Sequence, residues 1–103
     1  MSDFRFNVSD AVYVPLRGML LRLKLVDGEP DTAQVKPGRK LRLKSPNGDE
    51  RVVTIKDHSA TGGRVTKKTL MAKRELDVII PSEDATRDDE VVEIGWEAFG
   101  PVG

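Results

Sequence analysis

Apolar and charged residues alternate one by one along several short stretches of this 103-residue chain. No stretch longer than a turn or two spaces its apolar residues as a helix would. A period of two sends successive side chains to opposite faces of a strand, so the pattern predicts strands with one dry face and one wet face. The clearest case is Arg17 to Val26, where Leu21, Leu23 and Leu25 point one way, Arg22 and Lys24 the other, and Leu20 adds an apolar contact. Asp27-Gly28-Glu29-Pro30 and Lys36-Pro37-Gly38 read as turns, because proline fixes φ and glycine accepts positive φ. Leu41 and Leu43 then alternate with Lys40, Arg42 and Lys44. Ser45-Pro46-Asn47-Gly48 closes a hairpin onto a returning strand over Glu50 to Lys56, with Val53 and Ile55 toward the core and Val52 and Thr54 away from it.

Phe4, Phe6 and Val8 alternate in the same way, as do Leu76, Val78 and Ile80 before Pro81, and Val91 to Trp96 is expected to form the last strand. Arg64 to Met71 reads as a weak strand or an extended loop carrying Lys67 and Lys68 outward. Asp57 to Gly63 and Ser82 to Glu90 read as loops. About six strands joined by short turns predict an all-β domain over residues 1–103, an antiparallel barrel or sandwich. Closure into a barrel would remove exposed edges.

Several classes of chemistry are excluded by what the chain lacks. It has no cysteine, hence no disulfide, thiolate metal ligand or cysteine nucleophile. His58, the one histidine, lies between Asp57 and Ser59, but neighbours in an extended segment point to opposite faces, whereas a triad converges from separate elements. Asp88-Asp89-Glu90 lacks the spaced oxygen ligands and central glycine of a calcium loop. No catalytic residue, metal site or cofactor is expected, and the reading is a non-catalytic binding module. No apolar run approaches the roughly 18–20 residues that cross a bilayer, and Met1 to Asp10 has no signal-peptide character, so a cytoplasmic protein with no membrane partner is expected.

The formal charge is zero, yet residues 1–74 hold 16 Lys and Arg against 8 Asp and Glu, while residues 75–103 hold 1 against 9. Lys36, Arg39, Lys40, Arg42 and Lys44 form the densest basic set, with no acidic residue among them. On a strand Lys40, Arg42 and Lys44 share one face at roughly 7 Å spacing, which suits a phosphate backbone, and Arg64, Lys67 and Lys68 would extend the patch. The competing reading is an outward face neutralised by Glu50 or the acidic C-terminal strand. Trp96 and Phe99 either close the end of a barrel or form an exposed anchor for a partner protein.

The run Phe4-Arg5-Phe6-Asn7-Val8-Ser9-Asp10-Ala11-Val12-Tyr13-Val14-Pro15-Leu16-Arg17-Gly18 resembles the opening of the second domain of translational GTPases such as elongation factor Tu. Val8, Asp10, Arg17 and Gly18 match that pattern in order. Val35-Lys36-Pro37-Gly38 with Leu41 and Leu43, and Val53-Thr54-Ile55-Lys56-Asp57, resemble its following turn and strands. The chain departs from the family in having Leu21-Arg22-Leu23 in place of a Thr-Gly pair. The resemblance implies a six-stranded antiparallel Greek-key barrel that contacts protein, RNA or ribosomal surfaces. No Gly-x-x-x-x-Gly-Lys-Ser/Thr loop is present, so no nucleotide or GTPase activity is expected.

Overall fold

The computed structural model describes residues 3–58, 66–87 and 90–102. Six strands form one antiparallel sheet: β1 (Phe4–Val14), β2 (Gly18–Asp27), β3 (Lys40–Lys44), β4 (Glu50–Thr54), β5 (Glu75–Ile80) and β8 (Glu97–Gly100), in the order β4-β3-β8-β1-β2-β5. Two residues each of β6 (Thr86–Arg87) and β7 (Glu90–Val91) pair separately. The alternation read from sequence sets the inner face: Phe4, Phe6, Val8, Leu21, Leu23, Leu25, Leu41, Leu43, Val53, Ile55, Leu76, Val78 and Ile80 are all buried in one core.

The sheet curls without closing into the expected barrel. Beyond β4 the chain makes one bridge to β5: Lys56 N–H donates to the Ile79 carbonyl (2.7 Å) and Ile79 N–H donates to the Asp57 carbonyl (2.7 Å). The backbone leaves strand conformation after Thr54 and returns to the sheet for this one contact, so β4 and β5 remain its two edges. The edge of β4 is covered in part, because Thr54 N–H donates to the Asp84 carboxylate (3.0 Å).

Three local expectations are corrected. Lys67–Lys73 is helix α1, not a weak strand or loop. Thr66 caps it by accepting from Thr69 N–H (3.2 Å), and Leu70 is its one buried residue, too few apolar contacts to show a helical period in sequence. The helix stops at Arg74, which has left-handed φ of +56° and whose carbonyl accepts from Leu25 N–H (2.7 Å) on β2. Within the expected loop 82–90, Ser82–Ala85 makes the single turn α2, which starts after Pro81 and buries Ala85. The last sheet strand is displaced from 91–96 to Glu97–Gly100, since Ile94 and Gly95 turn the chain and Gly95 takes φ of +98°.

β1 is longer than its alternation indicated. A bulge between Val8 and Asp10 interrupts its register with β2, after which pairing continues from Asp10 opposite Arg22 to Val14 opposite Gly18. Arg17 N–H then donates to the Val14 carbonyl (3.1 Å), closing a turn with Pro15 second and Leu16 third. Gly18 follows at φ of +130°, and any β-carbon there would collide with the Ile80 carbonyl, so the hairpin meets β5 through a position only glycine fits.

Candidate functional site

Trp96 is 3% exposed and Arg51 8% exposed, and they form one buried unit. Arg51 stands on the core side of β4, in step with Val53 and Ile55, which the alternation implied but its charge concealed. Its guanidinium lies 4.9 Å from the centre of the Trp96 ring, and Nη1 donates to the carbonyls of Asp84 (3.1 Å) and Ala85 (3.2 Å) in α2. A buried guanidinium needs such acceptors, because an unpaired one loses its hydration without return. The exposed-anchor reading of Trp96 is therefore corrected: the ring closes the core. Phe99 is half-buried and lies on the outer face of β8.

The basic strand is placed as its alternation required. Lys40, Arg42 and Lys44 are exposed on the outer face of β3, and Lys36 and Arg39 are exposed in the turn before it, where Arg39 N–H donates to the Lys36 carbonyl (3.1 Å). In register Arg42 faces Val52 on β4 and Phe99 on β8, while Lys44 faces Glu50 and Glu97. Among the described residues Lys40, Arg42 and Lys44 make no ion pair within 4.0 Å, and Glu97 is instead 3.6 Å from Arg5. Arg42, Lys44, Glu50, Asp3 and two aromatic residues, Phe4 and Phe99, line a groove of about 380 Å³, which holds both signs of charge.

The other basic residues do not simply extend this row. Lys67 and Lys68 are exposed on α1, which packs against β5. Lys67 Nζ donates to Asp31 (2.8 Å), and that hydrogen bond, with the carboxylate's charge, holds its ammonium above the ordinary lysine value. Arg22 is likewise raised by its hydrogen bond to Asp77 and the charge beside it. Arg64 lies outside the described residues, as do Ser59, Asp88 and Asp89. His58 Nε2 lies 2.8 Å from the Val35 carbonyl, and Asp57 accepts from Arg17 (2.8 Å) and from the His58 amide (2.8 Å). Among the described residues no group of three His, Asp or Glu side chains could hold a metal ion, and no helix is long and apolar enough to cross a membrane.

A second surface was not singled out from sequence. Val12 is 48%, Tyr13 62% and Leu16 fully exposed at the β1–β2 hairpin, and Ile94 is 65% exposed. Leu16 has φ of +66°, in the left-handed region that costs a branched side chain about 1–2 kcal/mol and that glycine or asparagine occupies more cheaply. Tyr13 and Leu16 line one groove with Pro81 and Glu83, of about 480 Å³, and Ala11 and Met19 line another with Val91 and Ile94, of about 390 Å³. Along Asp10–Val14, β1 pairs with β2 on one side, and no described strand pairs with its other side. The signal available in sequence was the Val12-Tyr13-Val14 run itself, which is strand-favouring and apolar on both faces.

In comparisons with known proteins, no family model, no curated protein and no solved structure matches this chain.

Proposed function

We propose that this chain is a non-catalytic protein-binding module whose docking surface is the distal half of β1 and the turn that follows it. One observation carries the reading: Leu16, fully exposed, occupies a left-handed backbone position. An exposed leucine gains nothing from the core while the backbone there adds strain, so the isolated fold carries that strain with no packing in return. Val12, Tyr13 and Ile94 add to it an apolar surface of the kind that protein partners cover. Replacing Leu16 with a photo-cross-linking residue, in extract of the source cells, is expected to give protein adducts. These adducts persist at high salt and disappear with Tyr13→Ser. Adducts no different from those formed by a cross-linker at Lys24, on the outer face of β2, would overturn the reading.

A second reading is RNA or ribosome contact through the outer face of β3. It is favoured by Lys40, Arg42 and Lys44 standing in a row, with Arg42 and Lys44 bordering Phe99 in one groove. It is also the role that the resemblance to translation-factor barrels suggests. Phosphate contacts give affinity that falls with salt, and an aromatic ring gives a base somewhere to stack. Binding to ribosomes and bulk transfer RNA at two salt concentrations, with Arg42→Glu plus Lys44→Glu as the control, decides it. Affinity that survives the double change excludes this face.

A further inference from the structure

Resting on the reading of the hairpin as the docking surface, we infer that the strand received by the half of β1 that no described strand pairs with is β1 of a second copy, paired antiparallel about a two-fold axis at Val12. The direction of the backbone groups comes first. Ala11 N–H ends on the carboxylate of its own neighbour, Asp10 Oδ1 (2.9 Å), which is the local substitute an edge amide takes when no strand lies beside it. With a strand's period of two, Tyr13 presents its N–H and carbonyl to the same side. A two-fold axis at Val12 sets Ala11 opposite Tyr13 of the other copy, and Tyr13 opposite its Ala11. Each of these pairs exchanges both N–H···O bonds, and the contact is isologous and closed.

Two other registers place unfavourable residues together. A shift that centres the pair on Asp10 sets two carboxylates directly opposite, which is destabilising across strands. A shift that centres it on Val14 sets Pro15, which has no N–H, opposite Tyr13. Centring on Val12 avoids both and leaves valine against valine. Adjacent residues point to opposite faces, so Val12, beside Leu20, and Tyr13, beside Met19, expose apolar surface on both faces of the half-strand. That is the composition of a strand inside a sheet rather than at its edge. With 17 basic and 17 acidic residues, two copies meet without net repulsion.

Sedimentation of the purified chain over a wide concentration range tests the pairing, and a reversible monomer–dimer equilibrium that shifts with concentration is expected. Val12→Asp and Val12→Lys, both at an exposed position and both checked for an unchanged urea midpoint, are each expected to weaken it at least about tenfold. An equimolar mixture of the two variants restores association, since the aspartate and the lysine then face each other at the axis. Three results overturn the inference: a monomer at every concentration, a dimer indifferent to both variants, or no restoration in the mixture. A monomer whose position-16 cross-linker still reaches a foreign protein overturns self-pairing alone, whereas a monomer without such adducts overturns the docking surface as well.

Discussion

Two regions flank α2, and each places its residues against what their polarity alone would predict. On one side Arg51, a cation, is packed inside against Trp96, with its donors on the carbonyls of Asp84 and Ala85. On the other, Tyr13 and Leu16 stand in water beside Pro81 and Glu83. Hydrophobicity alone predicts the reverse. What decides is whether a later segment supplies cover and hydrogen-bond partners: α2 and the turn at Ile94–Gly95 bring both to Arg51, and no described element does so for the tip of the hairpin. A polar group can be buried where its partners are fixed, and an apolar group left outside marks a place where its partner is still to come.

The strongest way to break this comparison is to remove the buried ring. Trp96→Ala is expected to cost about 3–5 kcal/mol in urea unfolding, as truncations of large core aromatics do. Arg51→Ala should cost less, about 2–3 kcal/mol, because the carbonyls of Asp84 and Ala85 lose a charged donor. The two losses are expected to be non-additive by about 0.5–2 kcal/mol in a double-mutant cycle, the worth of a desolvated cation over a ring. A Trp96→Ala cost below about 1 kcal/mol would show that the ring is not the plug its burial implies.

Legibility in the sequence divides along the same line. Five of the six sheet strands were readable because their partners impose a two-sided environment, and alternation is its direct record, as in Leu21, Leu23 and Leu25. Strand β8 was misplaced because Val91 and Val92 have strand-like composition, and it is the turn at Ile94–Gly95 that sets which residues reach β1. Helix α1 escaped notice because its signals are polar, Thr66 and Thr69 at the cap, with one buried leucine. Arg51 was hidden by its charge although its position was correct. Tyr13 and Leu16 were hidden by their type, since nothing local distinguishes an apolar residue that will be covered from one that will not. The exposure of Lys40, Arg42 and Lys44 followed from alternation alone, whereas their placement around Phe99 depends on β8 lying beside β3.

Leu16→Gly sharpens the comparison from the exposed side. Relief of the left-handed strain, about 1–2 kcal/mol, outweighs the added freedom of the unfolded chain, about 0.4–1 kcal/mol, so a net stabilisation of about 0.5–1 kcal/mol is expected. The same substitution removes apolar surface from the docking region and should weaken association. Greater stability with poorer binding is the signature of a residue kept for a partner. Destabilisation would mean that Leu16 is packed in solution, and the contrast between the two regions would fail.

The smallest expected effect concerns how the uncovered hairpin is held. Its base is tied to the chain beyond β4 by Arg17 on Asp57 (2.8 Å) and by Lys56 Nζ donating to the Arg17 carbonyl (3.0 Å). Both partners of the ion pair are more than a third exposed, so Asp57→Asn, which keeps an acceptor for the His58 amide, should cost only about 0.2–1 kcal/mol. On β2 Leu21 is the last fully buried core side chain at this end, with Met19 only partly buried against it, and the loss should therefore be felt locally. Amide exchange at Arg17, whose N–H is bonded to the Val14 carbonyl in the turn, is expected to quicken by up to about fivefold, the equivalent of about 1 kcal/mol, while Leu21 and Leu23 are unchanged and Trp96 stays buried. Exchange that quickens equally at Leu23 would instead make the hairpin and the core one cooperative unit, and the strain at Leu16 would then be borne by the whole sheet rather than by its tip.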